Sequence, residues 1–284
     1  MLAFLSLITI ANCAIAQVSF ENEIVIVNFD DQSATALSSG PNRAIFSAVI
    51  DKLRDAGARS IVLKYFLDTP TNEKNDSLLE TSLKSSRVLL QATINDALPV
   101  SKTLNSKFEF SGTIRDVKPR VSGLEGWLPL ERYQQYAAQV CFVDVPDLHA
   151  IPLLEIFNGK AVKSLYACIL EEVLGHKLDF VGPDYASFGE ARVPVNRYGE
   201  VPVTLSDLGF PKYISVASLI KSNHHGDSLR NKIVVISYSG ARSPTVEVDG
   251  KPVIVHQVFL AGLRELLSRV SKSSNVQVQH SGSE

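Results

Sequence analysis

Cysteine is scarce: three in 284 residues exclude a disulfide-scaffold protein. Neither sign of charge dominates, since 28 Lys+Arg stand against 30 Asp+Glu for a formal net charge of −2. Without a basic excess there is no electrostatic footprint for nucleic acid or an anionic membrane surface. Cys-x-x-Cys, His-Glu-x-x-His, the phosphate loop and Gly-x-Gly-x-x-Gly are all missing, so the expectation is no cofactor and no metal site. Gly-x-Ser-x-Gly is missing too, which leaves the hydrolase elbow without support. Beyond the N-terminus no charge-free run approaches membrane-spanning length. What is present is 45% hydrophobic and 20% charged residues, a balance that excludes disordered, collagenous and coiled-coil chains.

The front end is unusual. Met1 to Phe20 carry no charged side chain, and Ala14-Ile15-Ala16 has the small-x-small form that signal peptidase accepts. The expectation is a signal peptide over residues 1–16, cleaved before Gln17, although no Lys or Arg precedes the apolar run. The apolar stretch is short for a membrane span, which needs roughly 20 residues. The mature chain is therefore expected to lack a transmembrane segment and to be periplasmic or secreted. Cys13 leaves with the leader. Cys141 and Cys168 remain; in an oxidising compartment they can pair if geometry allows, but two buried, unpaired cysteines are the expectation.

The body alternates strand and helix. Glu23–Phe29, Ser60–Leu67, Arg87–Ile94, Val140–Val145 and Lys232–Tyr238 are nearly continuous apolar runs, as in strands buried on both faces. Ala44–Ala56 places Ile45, Val49, Ile50 and Leu53 on one stripe before Gly57, which reads as a capped amphipathic helix. Asp76–Leu83, Val162–Leu174 (stopped by Gly175) and His256–Val270 read likewise. The fold class is α/β, a mainly parallel sheet flanked by helices. Arg192–Leu205, with Tyr198-Gly199 between alternating segments, predicts an antiparallel hairpin, and Pro194 and Pro202 favour an edge position. Residues 17–270 form the domain, 96–132 an irregular insertion with Trp127 folded back onto the body, and 271–284 a flexible tail.

Ligands of open parallel sheets bind beyond the strands' carboxyl ends. Asp30, Asp31, Asp68, Asn95, Ser239 and Arg242 fall there and are the candidate ligand-binding residues. The alternative is that the aspartates cap the turns that follow them. A Ser239–His256–Asp arrangement can be drawn, but His256 reads as a helix-terminus histidine satisfied by a backbone carbonyl. His224-His225 reads as a solvated loop. No catalytic residue is assigned.

The order of segments is itself informative. IVIVNFDDQSA is followed by DKLRDAGARSIVLKYFLDTP and SLLETSLKSSRVLLQATI. Then come AQVCFVDVPD, AVKSLYACILEEVLG, PVNRYGEVPVTL, LRNKIVVISYSGARSP and KPVIVHQVFLAGLRELL. Over roughly residues 22–270 this series resembles the type-two CHASE domain, the extracytoplasmic sensory module of bacterial histidine kinases and nucleotide cyclases. The resemblance implies a fold and a sensory association, and no ligand or catalytic residue. Relatives usually continue into transmembrane helices and a kinase or cyclase, and this chain stops. It departs too before the first helix, where Ser39-Gly40-Pro41-Asn42-Arg43 replaces a Trp/Pro motif, and at Pro146–Ala150, which replaces an Asp-x-Asp-Gly turn. The expectation is an exported stand-alone binding module, not an enzyme, that signals in trans through an unknown small molecule or a membrane-bound kinase or cyclase. The rivals are a scaffold copy without a ligand and a secreted hydrolase.

Overall fold

The computed structural model describes residues 18–97, 103–114, 116–205, 207–222 and 226–280, the last ten as backbone only. The leader and the His224-His225 pair lie outside the described residues. The main sheet runs in the order Tyr213–Ser215, Ile24–Phe29, Ile233–Tyr238, Ser60–Leu63, Val88–Ile94, Gln139–Phe142. All of these pairings are parallel. Gly126–Trp127 adds a short antiparallel strand at the end of Val88–Ile94. The expected α/β class with a mainly parallel sheet is therefore the fold.

Alternation along the strands divides the core in two. Ile24, Ile26, Val62, Leu89 and Val235 face helices Leu165–Leu174 and Val255–His280. Val27, Phe29, Leu63, Leu90 and Val234 face helices Arg43–Asp55, Glu73–Lys84 and Val216–Lys221. Both faces are covered, which is why the strands read as unbroken apolar runs. Helix starts are set by side-chain caps: Asn42, Asn72 and Ser164 each accept a backbone N–H three residues on. Gly175, at φ +70°, ends its helix in the left-handed region, as Gly does at little steric cost.

Several boundaries differ from expectation. The antiparallel strands around 192–205 exist but do not pair with each other. Ala191–Pro194 pairs with Tyr185–Phe188, and Glu200–Pro202 pairs with Ala150–Pro152. The turn between them closes through Gly199 N–H donating to the Asn196 carbonyl at 2.8 Å. Pro194 and Pro202 lack the N–H groups needed to extend a ladder from it. Within residues 96–132, Phe108 and Val117 are buried, and Trp127 meets Phe66 edge-on at 4.8 Å. The final helix runs to His280, ten residues into the expected tail. No Gly or Pro between Gly262 and Gly282 interrupts it. Cys141 and Cys168, expected unpaired, form a disulfide with Cα atoms 6.6 Å apart. Their strand and helix pack face to face in one core, which brings together residues that sequence spacing could not relate.

Candidate functional site

At the carboxyl end of the first strand the chain turns straight into a helix. Asp30 caps it, accepting from Ser33 N–H at 2.7 Å, and its other oxygen accepts from the Tyr213 hydroxyl at 3.2 Å. Burial and that bond to Asp30 raise the Tyr213 hydroxyl above the usual phenol range. Asp31 reaches the loop after Ile233–Tyr238, accepting from Ala241 N–H at 3.0 and 3.2 Å. Ser239 Oγ accepts from Asn28 Nδ2 at 2.6 Å, while Asn28 Oδ1 accepts from Ser237 Oγ at 2.9 Å. Asp30, Asp31 and Ser239 are thus brought together, each already engaged by the protein. The other three stand apart. Asp68 accepts from the Thr69 hydroxyl at 3.1 Å. Asn95 closes a turn by accepting from Ala97 N–H at 3.1 Å, and Arg242 is exposed.

The main concavity lies beside the first strand rather than across the strand ends. The edge strand Tyr213–Ser215 covers only Ile26–Asn28, because Pro211 just before it has no N–H with which to lengthen the ladder. The uncovered start of the first strand opens a cleft of about 930 Å³. Its apolar floor comes from Phe20, Ile24 and Ile26. One end carries Glu21, Lys232 and Arg264, the other Asp30. The Arg264 guanidinium sits 5.1 Å over the Phe20 ring and donates to Asp207 at 2.7 Å. Lys232 donates to the Asn22 carbonyl. Of the six sequence candidates only Asp30 lines this cleft. An apolar floor with a few fixed polar groups is the usual make-up of a small-molecule site.

A second feature was missed entirely. On the face covered by the final helix, the strands end in buried polar residues: Asn28, Ser237, Lys64 and Gln91. Asn28 pairs with Ser237, and Lys64 directly follows the Leu63–Ile236 pair. Lys64 is buried with no carboxylate partner among the described residues, its ammonium 4.9 Å over the Phe259 ring. Desolvation pushes it down to about 8. The signal was present as polar residues at period two after Ile24-x-Ile26, Val62 and Leu89. His256 lies above this row and is satisfied by a backbone N–H, not the expected carbonyl: Tyr238 N–H donates to its Nδ1 at 3.2 Å. In the separate strand Leu154–Phe157 Glu155 is fully buried, and among the described residues neither carboxyl oxygen has a well-formed hydrogen bond. Burial, then the adjacent Asp144, raise it well above the ordinary carboxyl range. Asp144 itself accepts from the Thr93 hydroxyl at 2.5 Å and from Ile94 N–H at 2.8 Å.

Among the described residues no helix is long and apolar enough to cross a membrane, and no group of three His, Cys, Asp or Glu side chains is placed to hold a metal ion. No curated protein and no solved structure matches the chain. A family model does, that of the CHASE2 domain, over residues 5–246 of 284. It spans the first strand, the helices after it, the insertion and Ile233–Tyr238. The chain belongs to the CHASE2 domain family of extracytoplasmic sensory modules.

Proposed function

We propose that this chain is an exported sensory module that binds a small amphipathic ligand in the cleft beside its first strand. In this reading its occupancy is read by a membrane-bound kinase or cyclase, engaged in trans. The observation that carries the reading is the cleft itself: about 930 Å³ with an apolar floor and charges of both signs at its ends. Such a site suits a ligand with an apolar body and an ionised group, aligned by Arg264 and Lys232 at one end and Asp30 at the other. Signalling requires only that the ligand prefer one of two conformations. Export with cleavage near Ala16 belongs to the same reading, supported by the charge-free leader and by a disulfide that suits an oxidising compartment.

The reading assigns no catalysis. Ser239 Oγ is taken by Asn28, and His256 Nδ1 by a backbone N–H. A scaffold reading has one observation in its favour. The Thr245–Ile254 hairpin forms its own two-stranded sheet and exposes Val246.

Thermal-shift screening of the chain against amphipathic carboxylates and amines tests the proposal. A ligand of the native state raises Tm by mass action, about 2.7 kcal/mol at a hundredfold excess over Kd. Lys212→Trp, which fills the cleft from an exposed position on its lining, is expected to keep its own Tm and lose the shift. An equal shift in the Trp variant, or none with any compound in the native chain, overturns the reading.

A further inference from the structure

We infer that His256 is a proton-operated latch holding the start of the final helix against the end of the central strand. The latch is one hydrogen bond, Tyr238 N–H to His256 Nδ1 at 3.2 Å, joining residues 18 apart across the loop and hairpin of 239–254. For Nδ1 to accept, the imidazole must be neutral with its proton on Nε2. A proton taken from solvent goes to Nδ1, the one acceptor nitrogen, and the bond is lost.

Three features of the site set that cost. His256 is the second residue of Val255–His280, and the positive end of a helix dipole opposes a cation there. It is 7% exposed, so a charge gains little from water. Lys64 lies beneath it, itself buried, with its ammonium over Phe259 one turn along the same helix. Desolvation first, then the Lys64 charge, hold the imidazole well below its ordinary 6.5. Tyr65, at 6.2 Å between ring centroids, and Tyr238 are the other titratable groups around it. Tyr65 is pushed up by burial and donates to the Ser237 carbonyl at 3.1 Å. Among the described residues no carboxylate offsets the charge. On the other elements packed on this helix, Glu21 lies 3.7 Å from Arg264 and Glu23 is bonded to Arg59, while Arg192 and Lys251 are exposed.

Acid therefore places two buried cations side by side at a helix start whose anchoring acceptor has gone. The first turns of the final helix leave the strand end, and with them Phe259 and the hairpin leading into the helix. Because the same helix covers one face of the sheet through Leu263, Leu266 and Leu267, a local protonation becomes a change in the module's main layer contact.

Hydrogen exchange from pH 7.5 to 4.5, corrected to protection factors, tests this. Tyr238 N–H and the amides of the first turns of the helix should lose up to about tenfold protection for each pH unit below about 6.5, the slope for uptake of one proton on opening, levelling off only at the lower folded-state value. His256→Asn keeps an acceptor near the Nδ1 position and cannot be protonated there, so its protection should stay level. Lys64→Met removes the neighbouring cation, raises the folded-state value toward 6.5 and should shrink the loss of protection between pH 6.5 and 4.5. Level protection in the native chain overturns the latch, as does an equal loss in the Asn variant. If that variant does not fold, an undiminished loss in Lys64→Met overturns it instead.

Discussion

Glu155 sees no solvent, and among the described residues it has no well-formed hydrogen bond. Other buried carboxylates in the protein are paired: Glu200 takes both arms of Arg120 at 2.7 Å, and Glu171 takes Lys163 at 2.7 Å. Glu155 has only Asp144 beside it, so a retained proton is its means of avoiding a bare buried charge. The folded protein thus holds a proton that the unfolded chain releases near 4.5. With the folded value raised, this group's contribution is fully present below about 4.5 and lost as pH rises toward the folded value, at up to about 1.4 kcal/mol per pH unit. Glu155→Gln keeps a donor for Asp144 and cannot ionise. Urea unfolding at pH 5 and pH 8 should show the variant gaining on the native protein as pH rises; a constant difference would refute the assignment. The residue is visible in the sequence as one acid in the apolar run Leu153–Phe157, but a half-exposed strand gives the same pattern.

Among the elements, the strand Gly126–Trp127 shows how little room the sheet leaves. A Cβ on Gly126 would lie 2.1 Å from the Thr93 carbonyl oxygen, a backbone atom that cannot rotate away. Gly126→Ala should therefore cost roughly 1–3 kcal/mol by overpacking, with the loss of Trp127 contact at Phe66 readable as a change in tryptophan emission; unchanged stability and emission would contradict it. The elements themselves were largely legible. Ile24–Phe29, Val88–Ile94 and Ile233–Tyr238 lie within one residue of the apolar runs that predict them, because burial on both faces demands such runs. Helix stops at Gly57 and Gly175 follow from glycine's access to positive φ. The hairpin at 192–205 was misassigned in its partners because a turn signal specifies a reversal, and pairing beyond it depends on which backbone groups meet.

For the whole molecule, one sheet divides two apolar layers, and the disulfide ties the strand Gln139–Phe142 to the helix Leu165–Leu174. With its ends 27 positions apart in sequence, the cross-link is worth about 3–4 kcal/mol through the entropy of the unfolded chain. The double substitution Cys141→Ala with Cys168→Ala should lower the unfolding free energy by that amount while leaving one cooperative transition, measured by urea denaturation. A loss under about 1 kcal/mol would place the stabilising role elsewhere.

The sequence by itself determined the class of fold, the long apolar strands, the main helices and their glycine stops at Gly57 and Gly175, since these depend on periods of two or 3.6 residues and on residues within a turn of one another. It determined the family too, through the order of those segments. Tertiary structure alone decided that Cys141 meets Cys168, that Asp30 lines a cleft which the other five candidates do not, and that His256 sits over Lys64. Parallel crossovers set side by side residues as far apart as Asn28 and Ser239, separated by 211 positions, and no local pattern records which distant strand becomes the neighbour.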